Sequence, residues 1–198
     1  MRKFAVVTVF VLVLGSFAVA QIEQKPFEVP RTEFFIGYAH EYADLSGSFS
    51  GTLGTVFGNS TGLNGFAFEA SHFLHNNLGF TVDIARTSNK RLDPTGIGYV
   101  RTSYLAGPNY RLPRYGFFSP SVHVLAGIDH GVFTVPENLP STFTFGNTEF
   151  AAAAGATLDG NLSRHVAIRL VQVDYLYSHH YGENQNSFRY AGGVVLRF

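Results

Sequence analysis

The sequence predicts an all-β chain, an eight-stranded antiparallel up-and-down transmembrane β-barrel with a cleaved signal peptide. Three observations lead there. Eight segments of alternating hydrophobicity each approach the roughly 9–11 residues that a tilted strand needs to cross a bilayer. Beyond the N-terminus no apolar stretch is long enough for a membrane helix, so strands must make any crossing, and only a closed sheet satisfies its backbone in lipid. The last segment alternates up to Phe198, with Phe188, Tyr190, Val194, Leu196 and Phe198 on one face and Arg189, Ala191, Gly193, Val195 and Arg197 on the other. That is a strand with lipid on one side.

Taken in order, Arg2 and Lys3 precede an apolar run over 4–14, which Gly15, Ser16 and Ala18-Val19-Ala20 close. This is the layout of a secretory signal, and its core falls short of the roughly 18–20 residues of a spanning helix. The expected organisation is a signal peptide over 1–20, a lead-in over 21–31 broken by Pro26 and Pro30, and the barrel over 32–198, the mature chain starting at Gln21. No appended domain is expected after Phe198. The chain has no cysteine, which excludes a lipid anchor at the cut, disulfides and thiolate chemistry.

The period-2 segments are 32–42, 62–73, 78–87, 96–111, 117–128, 148–158, 166–177 and 187–198. Short turn-forming connections over 74–77, 112–116 and 159–165 alternate with longer ones over 43–61, 88–95, 129–147 and 178–186, as in barrels with one short-turn rim and one long-loop rim. An even strand count puts both ends of the barrel on the short-turn rim.

A lipocalin also has eight strands but points its apolar face inward, so the second face decides. The first strand sets Phe34, Ile36 and Tyr38 against Gly37, Ala39 and Glu41. The second sets Phe66, Phe68 and Ala70 against Ala67, Glu69 and Ser71, and the third sets Leu78, Phe80, Val82 and Ile84 against Gly79, Thr81, Asp83 and Ala85. In the fifth, Val122, Val124, Ala126 and Ile128 oppose Ser119, Ser121, His123 and Gly127. The second face is small or polar throughout, which suits a narrow salt-bridged interior rather than an apolar cup. Tyr38, Tyr42, Tyr104, Tyr110, Phe118, Phe150, Tyr175, Tyr177 and Tyr190 fall at strand ends, where interfacial girdles lie.

These parities send Glu41, Glu69, Asp83, Glu149 and Asp174 into the lumen with Arg101, Arg111, Arg189, Arg197 and His123. Hairpin arithmetic sets Asp83 opposite Arg101 and Asp174 opposite Arg189, with Glu41 beside Arg189 once the barrel closes. Arg169 has the opposite parity to Gln172 and Asp174. A cation facing lipid costs about 2–4 kcal/mol at midplane and far less near an interface. Arg169 is therefore expected to snorkel outward, leaving Gln172 and Asp174 inside; a β-bulge would reverse this.

Charged residues make up 14 %, with 14 Lys and Arg against 14 Asp and Glu, beside 20 Phe, 10 Tyr and 21 Gly. A neutral, aromatic chain is no electrostatic partner of nucleic acid. The run Arg169-Leu170-Val171-Gln172-Val173-Asp174-Tyr175, then Gln185-Asn186 and Val194-Val195-Leu196-Arg197-Phe198, resembles the last hairpin of small barrels of the outer-membrane family that includes the OmpA transmembrane domain and OmpX-type proteins. The resemblance implies an outer-membrane location with the short turns and lead-in in the periplasm. It also implies an interior plugged by salt bridges, a terminal strand read by the barrel assembly machinery, and loops that meet other cells or molecules. A monomer standing in lipopolysaccharide is expected.

Some barrels of this size hydrolyse acyl chains of lipid A, and such an enzyme needs Ser or His with a carboxylate at the outer rim. Ser178, His179, His180 and Glu183 are the candidates, but they lack the His-x-Ser arrangement that the deacylases resemble one another in. No catalytic residue, cofactor or metal is assigned, since neither His72 with His75 nor His179 with His180 has a third ligand at recognisable spacing. The sequons at Asn59 and Asn161 are chance matches in this context. The segment 129–147, with Val132, Phe133 and Val135 before Pro136 and Phe143 and Phe145 after Pro140, is expected to prolong its hairpin as a ribbon with exposed aromatics. The expected role is structural or surface-interacting, the first alternative a small passive pore, the second a lipid A-modifying acyl hydrolase.

Overall fold

The computed structural model describes residues 30–44, 60–75, 77–92, 97–134, 144–180 and 183–198. Eight strands form a closed barrel: β1 (Thr32–Asp44), β2 (Ser60–His75), β3 (Leu78–Leu92), β4 (Ile97–Arg111), β5 (Phe118–Thr134), β6 (Thr144–Asn161), β7 (Val166–His180) and β8 (Glu183–Arg197). Each pairs antiparallel with its sequence neighbours, and β8 returns to β1. At the seam the Thr32 N–H donates to the Phe198 carbonyl at 3.1 Å and the Phe198 N–H to the Thr32 carbonyl at 2.9 Å. The Phe198 ring meets Phe34 edge-on at 6.0 Å. Higher up the seam, a Cβ on Gly37 would lie 2.3 Å from the Gly192 carbonyl oxygen, so the close approach of β1 and β8 there requires glycine.

The alternation sorts residues as the chemistry of the two sides demands. Ile36, Phe66, Phe80, Val124 and Leu170 face outward; Ile36 and Val124 keep 61 % and 60 % of their surface exposed. Unbroken apolar exposure around a whole barrel is far more than a water-facing domain carries and matches a lipid-facing band. The short-turn rim is set by local chemistry. Gly116 adopts φ 58° between Tyr115 and Phe118, which form an isolated bridge, and Ser163 Oγ accepts from the His165 and Val166 amides at 3.2 and 3.1 Å.

The strands outrun the sequence-based limits at the opposite rim. The strands run into the connections expected over 88–95 and 178–186, since pairing continues through Asn89↔Tyr99 and Leu92↔Ile97 and through Ser178↔Gln185 to His180↔Glu183. Strands that rise above lipid lose their apolar outer face, and the alternation fades with it. Asp129 and Asp159, expected in connections, lie within β5 and β6. Tyr38 and Tyr104 sit mid-strand rather than at strand ends. The 129–147 hairpin does pair upward as far as Thr134↔Thr144, but Phe133 is buried in the lumen and is not an exposed aromatic. The expected signal peptide over 1–20, the expected lead-in up to residue 29, positions 45–59 of the first long connection and the expected ribbon tip over 135–143 lie outside the described residues.

The interior is less uniformly small and polar than the alternation suggests. Phe35, Phe73, Leu63, Tyr99, Leu105, Leu125, Phe133 and Leu176 are all buried within it. An eight-stranded barrel is just wide enough for side chains to fill, and polar atoms alone would leave gaps between the charges.

Candidate functional site

The lumen holds ionic layers stacked between its rims. In the upper layer β4 projects Arg101, whose Nη1 donates to Glu41 and, at 2.9 Å, to Ser187 Oγ, while Nη2 donates to Ser178 Oγ at 3.1 Å and Nε to Asp129. Thr87 donates to Glu41 at 3.0 Å. Ala43 and Tyr99, one inward position above Glu41 and Arg101 on their strands, join Leu63 and Phe133 in an apolar cluster, with the Tyr99 and Phe133 rings stacked at 4.3 Å.

In the middle layer Arg189 Nη2 lies 2.8 Å from carboxylate oxygens of both Asp83 and Asp174, and its Nε donates to Asp174 at 2.9 Å. Its approach to Asp83 is ionic contact without hydrogen-bond alignment. His123 Nε2 is 2.9 Å from the second Asp174 oxygen. These two side chains belong to β5 and β7, with Gly155 of β6 in register between them. A Cβ on Gly155 would lie 2.1 Å from Asp174 Oδ1 and 2.7 Å from His123 Nε2, so the pair exists because that position has no side chain.

In the lower layer Arg169 donates to Asp159 at 3.0 Å, Glu69 at 3.1 Å and Gln172 at 2.9 Å, with its guanidinium 4.3 Å from the Phe35 ring centroid. Gln172 donates in turn to Asp174 at 2.9 Å, tying this layer to the one above. At the mouth, Glu33 is shared by Arg197 at 2.5 Å and Arg111 at 2.8 Å, and Arg197 also reaches Asp159 at 3.3 Å. Arg111 lies 3.5 Å over the Phe73 ring. Taking such charges out of water is costly unless partners and further hydrogen bonds replace the lost hydration, and the layers supply these from strands across the lumen.

Several expectations are corrected. Asp83 is not opposite Arg101: its β4 neighbour is Leu105, that of Arg101 is Thr87 on β3, and Asp83 meets Arg189 instead. The β3–β4 pairing is centred on position 94 rather than 92, which moves the β4 partners of β3 four residues along. Glu41 does border Arg189 in the ladder, yet its ion pair is with Arg101. Arg169 faces the lumen, because a register shift lies between Arg169 and Gln172 and leaves Leu170 and Val171 both exposed. This bulge restores the parity that a regular strand denies to Arg169. Glu69, Asp83, Arg101, His123, Asp174, Arg189 and Arg197 are buried and Arg111 is half-buried at the mouth, while Glu149, half-buried, accepts from Asn147 at 2.5 Å near the upper rim. The sequence reasoning missed Glu33, Asp129 and Asp159. Glu33 shares the parity of Glu41 and was legible; the other two were hidden by strand ends drawn too short.

The histidine and serine groups separate. Ser178 is bound inside by Arg101, whereas His179 points outward with Nδ1 2.9 Å from Asn184 Oδ1. Adjacent residues of one strand cannot share a face, so Ser178 and His179 do not form a nucleophile–base pair. The His180 and Glu183 side chains lie outside the described residues. Exposed His72 is 3.0 Å from Thr32 Oγ1, and Tyr177 is half-buried with its hydroxyl donating to Asn184 at 2.7 Å.

A closed eight-stranded antiparallel barrel, apolar outside and ionic within, is the fold of the small outer-membrane β-barrels. Ail, the attachment invasion locus protein of Yersinia pestis, shares it with TM-score 0.62 at 19 % identity over 85 % of this chain and 100 % of that one. Neisserial surface protein A does so with TM-score 0.63 at 16 % identity over 84 % of this chain and 97 % of that one. At such identities the likeness is one of fold. No protein-family model matches the sequence, and no curated protein does.

Proposed function

We propose that this chain works in the bacterial outer membrane as a sealed, non-enzymatic barrel whose role is structural or surface-interacting, exerted through its long-loop rim. The observation that carries the reading is the filled lumen: Arg101, Arg189 and Arg169 each bind carboxylates on other strands, and Tyr99 stacks on Phe133 above them. An ion crossing would have to displace paired charges and then enter an apolar constriction, which opposes hydrated ions. The division of Ser178 and His179 between opposite faces speaks against hydrolysis at that hairpin. Lipopolysaccharide is the expected surrounding of the upper rim, and the Phe188, Tyr190, Val194, Leu196, Phe198 face the expected signal to the assembly machinery. The monomer is supported by a barrel with every strand paired on both sides somewhere along its length.

The test is planar-bilayer conductance of the refolded mature chain, with folding checked by heat-modifiable gel migration. Silence from folded protein is the expected result. Discrete, salt-dependent current steps would overturn the sealed reading in favour of a passive pore, and release of acyl chains from purified lipopolysaccharide would overturn the non-enzymatic one.

A further inference from the structure

The β5–β6 hairpin rises past the top of β7 and is covered there on one side only. β5 keeps its β4 partner up to Gly98↔Thr134, the level at which Thr134 also meets Thr144 of β6. On the other side the β6–β7 ladder stops at Ala151↔Ser178, and β7 ends two residues later, where His180 pairs with Glu183 of β8. Among the described residues, 144–150 therefore has no ladder partner on its β7 side. At about 3.4 Å per residue this is an open edge of about 24 Å.

In an antiparallel ladder alternate residues turn both N–H and C=O to the same neighbour. At the short-turn rim the Asn161 N–H donates to the Phe117 carbonyl at 2.8 Å, so odd-numbered β6 residues bond β5, and the β5–β6 register runs unbroken from there to the top. Thr144, Gly146, Thr148 and Phe150 accordingly turn their backbone groups to the open side. Thr148 agrees, since its N–H donates to Asn147 Oδ1 at 2.9 Å, a side chain standing where a strand's carbonyl would be. The usual guards of an edge are missing: 144–150 holds no Lys and no Pro, and no register shift interrupts it. Its outward positions Thr144, Gly146, Thr148 and Phe150 are exposed, a flat, uncharged row.

We propose that the β6 edge over 144–150 is a β-augmentation site that takes an extended peptide segment of another protein as an added strand, held by the backbone groups of Thr144, Gly146, Thr148 and Phe150. This names the kind of partner for the surface-interaction reading of the long-loop rim and rests on it. An extended peptide fits better than a second copy in the same membrane. Barrel strands tilt by about 35–45°, and rotation about the membrane normal keeps the upward sense of each strand, so two facing β6 edges would cross at about 70–90° instead of aligning.

The experiment is a titration of the refolded chain in nanodiscs with a lysine-flanked heptapeptide of alternating threonine and valine, followed by NMR of the backbone amides and their exchange with solvent. In the free chain the Gly146 amide is expected to exchange at least tenfold faster than those of Asn147 and Glu149, which bond β5. The peptide should shift the Gly146, Thr148 and Phe150 amides saturably and slow exchange at Gly146 at least fivefold. Thr148→Pro, which removes one open-side N–H and leaves the β5 ladder whole, should weaken binding at least tenfold, and Thr148→Ala should stay within threefold. Heat-modifiable migration checks that both variants fold, and Gly146→Pro on the same edge replaces Thr148→Pro if that one does not. No saturable response, or equal affinity of the proline and alanine variants, would overturn the site. So would a Gly146 amide already protected in the free chain: protection independent of protein concentration means that the chain covers its own edge, and protection rising with concentration means that a second copy does. Conductance reports the lumen and peptide binding the edge, so failure here and failure of the sealed-barrel reading are told apart.

Discussion

The two ends of the lumen are closed by different chemistry. At the long-loop end Ala43, Leu63, Tyr99 and Phe133 form an apolar plug directly above Arg101. At the short-turn end the last layer is ionic, Glu33 with Arg111 and Arg197, and it borders an open cleft. The apolar plug excludes ions by offering them no substitute for hydration. The ionic mouth excludes them by being already paired. The charges between the two ends are fully buried, while those at the short-turn mouth border the cleft.

That difference sets the expected order of mutational effects. Arg101→Ala leaves Glu41 and Asp129 facing each other in the dry upper layer and should cost about 3–5 kcal/mol, the range for removing one partner of a buried pair. Urea unfolding of the refolded chain in vesicles reads it out, and a loss no larger than that of exposed Lys90→Ala would contradict a dry upper layer. Phe133→Ala removes half of the aromatic stack and should cost about 3 kcal/mol by large-to-small truncation, yet remain electrically silent because the Arg101 layer below still fills the lumen. Current steps in that variant would make the plug the sole seal.

Gly155→Ala inserts a methyl where His123 and Asp174 meet, and overpacking of that kind costs about 1–3 kcal/mol. Combining it with His123→Ala should recover part of the loss, since neighbouring changes are non-additive; full additivity in unfolding midpoints would mean that the methyl is accommodated elsewhere. Arg197→Ala should be the mildest, about 1–2 kcal/mol, because water at the mouth can hydrate what it leaves behind. A loss equal to that of Arg101→Ala would erase the distinction between the two ends.

The bulge in β7 shows where reading from sequence stops. Its alternation is plain on either side, from Val166 to Arg169 and from Gln172 to His179, and the second half assigns its faces correctly, whereas Arg169 in the first, expected outward, lies inward. The join lies at Leu170 and Val171, two apolar residues that both tolerate lipid, so nothing local marks the extra residue. Only the demand of Glu69 and Asp159 for a cation, together with the ladders to β6 and β8, turns Arg169 inward. Asp129 and Asp159 were missed for a related reason. Hydropathy alternation marks the stretch in contact with lipid, whereas strands continue as long as backbone pairing does.

The sequence by itself determined that this chain crosses a bilayer as eight strands, which residues of most strands face lipid, and that acids and bases share the interior. Period-2 patterning suffices for this, because a side chain's face depends only on its parity within a strand. The tertiary structure alone decided the partners: Arg101 with Glu41 and Asp129, Arg189 with Asp83, Arg169 with Glu69, and the gap at Gly155 that admits His123 to Asp174. Most of these contacts run across the barrel or over an intervening strand, so their geometry follows from barrel closure, stagger and one bulge, quantities that sum over all eight strands and are written in no single one.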